Sequence, residues 1–147
     1  MTRSKRITPV AKIADNKERD AAKVFGKSQQ TLKDHELRLE ELVKYRDEYH
    51  QRFQESGSNG LEARKVHEYR IFLNRLNDAI SNQREIVRQS TEESIESRES
   101  WMHTRSRAKA LEKVVERYQS QEEQALERQE QKESDERASR IPAHQEK

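Results

Sequence analysis

The sequence predicts an all-α fold, with two long helices paired as an antiparallel coiled-coil hairpin and an overhanging C-terminal helix. Three observations predict it. At 30% hydrophobic and 39% charged residues, the 147-residue chain has too few apolar side chains for an ordinary globular core, which draws on 45–50%. Only 3 glycines and 2 prolines interrupt it. Apolar residues then recur at alternating spacings of three and four, the signature of a heptad seam. The composition alone would also suit a disordered chain, but a phase held over many turns requires helix.

The breakers divide the chain. Pro9, the cluster Ser56-Gly57-Ser58-Asn59-Gly60 and Pro142 predict one coiled-coil domain over residues 1–147. Its parts are a helix over about 10–55, a turn at 56–60, a helix over about 61–139 and a flexible tail over 140–147. Glycine fits the left-handed position that ends a helix, and Asn59-Gly60 adds turn chemistry.

The first helix carries its seam on Phe25, Ser28, Leu32, His35, Leu39, Leu42, Arg46, Tyr49 and Phe53. In the second, the same alternation runs through Val66, Tyr69, Leu73, Leu76, Ile80, Gln83, Val87, Ser90, Ser94, Ser97, Trp101, Thr104, Ala108, Leu111, Val115 and Tyr118. A short loop forces antiparallel pairing, with partner numbers summing to about 118. Phe53 is then expected near Val66, Tyr49 near Tyr69, Leu42 near Leu76, Leu39 near Ile80, and Phe25 near Glu93. The second helix should outrun the first beyond about Val114, and at 1.5 Å per residue it approaches ~120 Å, so a monomer would be a rod. Ser90, Ser94 and Ser97 predict a weaker, curved or splayed middle.

Several function classes lose their footing here. Zero cysteine removes disulfides, thiolate metal sites and cysteine nucleophiles, and suits a reducing cytosol. No apolar run reaches the 18 residues of a membrane span, and no secretory leader is recognisable. A net charge of +2 is too small to make nucleic acid the expected partner. No phosphate-binding glycine loop, nucleophile elbow or HExxH motif occurs, and two paired helices offer no enclosed pocket. The chain is therefore expected to be no enzyme and to need no cofactor. The histidines (His35, His50, His67, His103, His144) form no helical i, i+4 pair. His50 and His67 are placed to approach each other across the hairpin.

Beside the seam near the loop runs a second stripe: Leu42, Tyr45 and Tyr49 on one helix, Tyr69, Phe72, Leu76 and Ala79 on the other. A two-stranded seam half-covers its neighbours, so these aromatics should stay partly exposed. Exposed apolar surface marks a partner site and tyrosine is a common anchor; wrapping the flank of a broad seam is the alternative. Trp101, at a seam position, is expected in the core. Arg3, Lys5, Arg6 and Lys12 form a basic N-terminal tail, and residues 119–132 are charged nearly all round. Both are expected to be solvated unless a partner covers them.

The run Tyr45-Arg46-Asp47-Glu48-Tyr49, the Asn59-Gly60 reversal, the stretch from Tyr69 to Ile80 and the ending Gln131-Lys132-Glu133-Ser134-Asp135-Glu136-Arg137-Ala138 resemble, in that order, the flagellar FliJ family. The resemblance implies a cytosolic component of the flagellar type III export apparatus, peripheral at the inner face of the cell membrane at the flagellar base. FliJ proteins are similar to the coiled coil of the rotary ATPase gamma subunit. As implied by the family, the chain would sit in the central hole of the hexameric export ATPase, reach the cytosolic domain of the export-gate membrane protein, and handle export chaperones. The gate-facing surface would fall on Leu42, Tyr45, Tyr49, Phe72, Leu76 and Ala79. Arg38 and Gln83 lie at its ends without apolar anchors.

Three other readings remain open at this level: the equivalent stalk of a virulence-type secretion system, a nucleic-acid-binding or structural filament coil, and a metal-dependent enzyme. The first shares fold and mechanism. The second requires salt-sensitive DNA binding, and the third requires metal in the purified protein.

Overall fold

In the computed structural model, residues 1–57 and 62–140 are described. Two helices account for nearly all of them, α1 over Arg3–Gly57 and α2 over Ala63–Arg140. They pack antiparallel, which makes the chain an all-α helical hairpin. Ser56 and Gly57 belong to α1. The Asn59-Gly60 reversal and the tail after Arg140 lie outside the described residues.

Every seam position expected from the spacing is at least half-buried, from Phe25 to Phe53 and from Val66 to Tyr118. On α1 the same alternation continues towards the N-terminus through Ala21, Glu18, Ala14, Ala11, Ile7 and Ser4. Apart from Ile7 these positions are small or polar, so they carry little of the apolar contrast by which a seam is read.

The chain divides into two compact units, one of Met1–Asp20 with Met102–Lys147 and one of Ala21–Trp101. The first corrects the expected start of α1. The helix begins at Arg3 and runs through Pro9 instead of starting near residue 10. Its N-terminus is fully provided for: Thr2 Oγ1 accepts from Lys5 N at 3.4 Å, and Glu122 accepts from both Ser4 N (3.0 Å) and Ser4 Oγ (2.6 Å). Capping of the first-turn amides stabilises a helix by about 1 kcal/mol each, and this offsets part of the hydrogen bond that Pro9 cannot make to Lys5 O. Thr8 Oγ1 also returns a bond to Ser4 O at 2.6 Å. The two bonds from Ser4 hold the Glu122 carboxyl below its ordinary range.

The same contacts shorten the overhang. The Arg3 guanidinium lies 5.9 Å from the Tyr118 ring centroid, so the basic N-terminus is neither a tail nor free of α2. Pairing persists to Glu122, well past Val114, and only residues 123–140 are exposed throughout.

In the second unit the contacts fit one constant register, a few residues beyond the expected one: Phe53 stacks on Tyr69 and not on Val66. Tyr49 stacks on Tyr69 at 5.4 Å, Tyr45 meets Phe72 edge-on at 6.1 Å, and Gln83 Nε2 donates to His35 O at 3.0 Å. Phe25 stacks on Trp101 at 5.6 Å instead of lying near Glu93, and Ser28 Oγ is 2.7 Å from Ser97 Oγ. Neither helix is broken here, so both advance by the same rise per residue. The contacts on both sides of the serines fit one register with partner numbers summing to about 122, as in the Phe53–Tyr69 stack. A seam residue touches partners up to about a turn to either side of that level, as Tyr69 touches both Tyr49 and Phe53. The middle is not splayed: Ser90 and Ser94 are buried, since small seam residues allow the helices to approach closely.

Candidate partner-binding face

Apart from Phe25 and Trp101, the aromatic rings of Phe, Tyr and Trp in the second unit lie near the ends of α1 and α2 that adjoin the reversal, on the seam and on one flank beside it. Counting seam positions as a and d of the heptad, Tyr45 and Phe72 both occupy g. In an antiparallel pair the two g positions lie on the same side of the seam. Tyr45 reaches Phe72 edge-on, Tyr49 packs against Phe72 at 4.4 Å and lies 6.5 Å from Tyr45, and Phe53 stacks on Tyr69 at 3.7 Å. Edge-to-face and offset pairs of this kind are each worth about 0.5–1.5 kcal/mol beyond the area they bury. The rings therefore hold one another as a rigid, connected surface.

Exposure grades across that surface. Tyr69 (7%) and Leu76 (8%) are buried beneath it; Leu42, Tyr49, Phe72 and Ala79 are half-buried; Tyr45 stands 46% exposed. Leu76 thus supports the face from below, and the surface available to another molecule is Tyr45 with the outer edges of Tyr49, Phe72 and Ala79. Burial, with the Tyr49 ring hydroxyl nearby, pushes the Tyr69 phenol above its ordinary value. Its oxygen is hydrogen-bonded to His50 Nδ1, and His50 Nε2 is 3.1 Å from Gln54 Nε2. His50 therefore pairs with Tyr69 and not with His67.

The two end candidates separate. Gln83 is buried (5%) and spends its amide nitrogen on the His35 carbonyl, so it fixes α2 against α1. Arg38 is exposed and lines a shallow groove with Asp34, Glu41 and Ile86. Ile86 continues the Phe72–Ala79 row at another heptad step and is 39% exposed. The spacing could have found it, because all three residues lie seven apart. Arg52 and Lys65, at g positions beyond Tyr45 and Phe72, border a second groove; charge at a flank position gives no such signal.

Among the described residues, no three His, Asp or Glu side chains are grouped to hold a metal ion, and no helix is long and apolar enough to cross a membrane. The arrangement offers surface recognition by aromatic and aliphatic side chains.

Comparison with known proteins agrees with the sequence pattern. The chain is 27% identical over 128 residues to the flagellar FliJ protein of Escherichia coli (strain K12), covering 87% of each chain. No solved structure matches it. The pattern of the family described as Flagellar FliJ protein matches residues 3–147, and the chain belongs to that family.

Proposed function

We propose that this flagellar export component is a non-enzymatic coiled coil that couples the hexameric export ATPase to the cytosolic domain of the export-gate membrane protein and handles export chaperones. It acts from the cytoplasm at the inner face of the membrane. The gate contacts the face formed by Leu42, Tyr45, Tyr49, Phe72 and Ala79, with Leu76 and Gln83 as its support and Arg38 at its edge. The observation that carries this reading is the half-exposed aromatic cluster centred on Tyr45 in a chain of this family. A ring set that packs on itself and still leaves one tyrosine open is preorganised, and it loses little entropy on binding.

The ATPase contact is assigned to the exposed end of α2. Residues 123–140 have no burial of their own, and a lone helix of that length is marginal in water and gains most from a surrounding surface. A truncation for testing this should follow Ala125, so that Glu122 still holds Ser4. The truncated chain is expected to lose binding to the ATPase and stimulation of its ATP hydrolysis while retaining the gate domain in a pull-down. Tyr45→Ala with Phe72→Ala should do the reverse. If the truncated chain stimulates fully and the aromatic variant does not, the two ends are assigned the wrong way round.

A further inference from the structure

The aromatic face does not end at Tyr45. Towards the reversal it runs into a groove of about 350 Å³, floored by Tyr49, Phe53 and Tyr69 and bordered by Arg52, Lys65 and Glu68. Tyr49 belongs to both the face and the groove, since it touches Phe72 on one side and stacks on Tyr69 on the other. A single ligand segment can therefore cover both without crossing a polar gap.

Charge at the flank positions makes the groove selective. In this part of the hairpin the other flank, at the e positions, carries both signs, with Glu36 on α1 and Arg70 and Arg84 on α2. On the aromatic flank the charged g residues are Arg38, Arg52 and Lys65, all cations. Flank charges of one sign gain nothing from each other and select a partner of the opposite sign. None of the three forms an ion pair among the described residues, while Glu68, the carboxylate on the groove's border, lies 3.4 Å from Arg64. At the far end Asp34 and Glu41 stand beside Arg38 in its own groove and balance it. Two cations and one carboxylate thus line this groove, against one cation and two carboxylates in the groove of Arg38.

We infer that the Arg52/Lys65 groove is an anion-selective extension of the aromatic face, taking the carboxylates of an acidic partner segment whose adjoining apolar side chain packs on Tyr45 and Phe72. The inference rests on the gate-binding reading of that face and adds the chemistry of the partner. Arg52 supplies a planar fork suited to a carboxylate, and Lys65 supplies a point charge. The aromatic floor keeps water away from one side of both contacts and so strengthens them relative to exposed pairs.

The test uses the full chain and the cytosolic domain of the export gate, with affinity measured by calorimetry at about 50 and 300 mM salt, conditions that bracket physiological screening. Arg52→Glu with Lys65→Glu should weaken binding by about tenfold or more at low salt and flatten its salt dependence. Arg70→Glu with Arg84→Glu, on the opposite flank, should do neither. Tyr45→Ala should weaken binding at both salt concentrations alike. Circular dichroism must show each variant as helical as the parent. If the Arg52/Lys65 variant binds with unchanged affinity and salt slope while Tyr45→Ala is weakened, the groove assignment falls and the gate-binding reading stands. If Tyr45→Ala also binds like the parent, the reading of the face fails and the groove with it. Binding to phosphatidylglycerol vesicles that is lost in the Arg52/Lys65 variant, with gate affinity unchanged, would reassign the cations to a membrane surface and overturn the inference.

Discussion

Ile80 and Tyr45 show how differently two large side chains of one hairpin are employed. Ile80 is 1% exposed and Tyr45 nearly half, so truncation should separate stability from recognition. Ile80→Ala removes buried methylenes and leaves a cavity, and is expected to destabilise the fold by about 2–5 kcal/mol. Tyr45→Ala loses its ring contacts to Phe72 and Tyr49 and half-exposed area, so about 1–2 kcal/mol is expected. Urea denaturation of both variants measures the difference, and equal losses would return Tyr45 to the core. Both roles follow from spacing: Ile80 lies on the seam and Tyr45 beside it. The Ser4–Glu122 contact was not legible in the same way, because two polar side chains 118 residues apart leave no periodic trace. The functional flank was half-legible: its aromatics stand out against a charged background, whereas Arg52 and Lys65 are two cations among 30.

At the scale of the helix, Pro9 is the local rule that the fold overrides. Proline in a helix interior forfeits one backbone bond and crowds the preceding turn, at a cost of up to about 3 kcal/mol. Read from sequence alone it is a boundary, and the competing terms are the Thr2 cap and the Glu122 carboxylate. Pro9→Ala should therefore raise the thermal midpoint without changing the helix count, and Ser4→Ala in the same background should take back part of the gain. A Pro9→Ala variant no more stable than the parent would show that the N-terminal turns are held by other contacts. Register is a different case. Tyr69 touches both Tyr49 and Phe53, and Trp101 touches Phe25, contacts that one sum of about 122 accommodates. Alternating spacing fixes the seam of each helix but not which turn faces which, so the expected sum falls short by about one turn.

For the molecule as a whole, stability should have a broad pH plateau bounded by different groups at its two edges. Glu122 is held below its ordinary 4.5 by Ser4, and Glu85 by Arg88. Their contribution is present above that value and is lost as pH falls through the depressed folded values. Tyr69 is raised above its ordinary 10.0 by burial and the nearby Tyr49. Its contribution is complete below 10.0 and is lost as pH rises towards the folded value. Chemical denaturation across pH should find the alkaline edge moved by Tyr69→Phe and the acid edge moved by Glu122→Gln. An alkaline edge unaltered by Tyr69→Phe would assign it to another phenol.

The exposed end of α2 has one more consequence. Arg128, Lys132 and Arg137 place tryptic bonds in a helical segment that opens without disturbing any burial, so cleavage there should be governed by local fraying and should far outpace cleavage in the paired region. Each cut severs a piece of the tail and leaves Ser4 on Glu122. Any molecule seated on those turns would shield the same bonds, and the rate at which the chain is clipped then reports, without a label, what fraction of it is occupied.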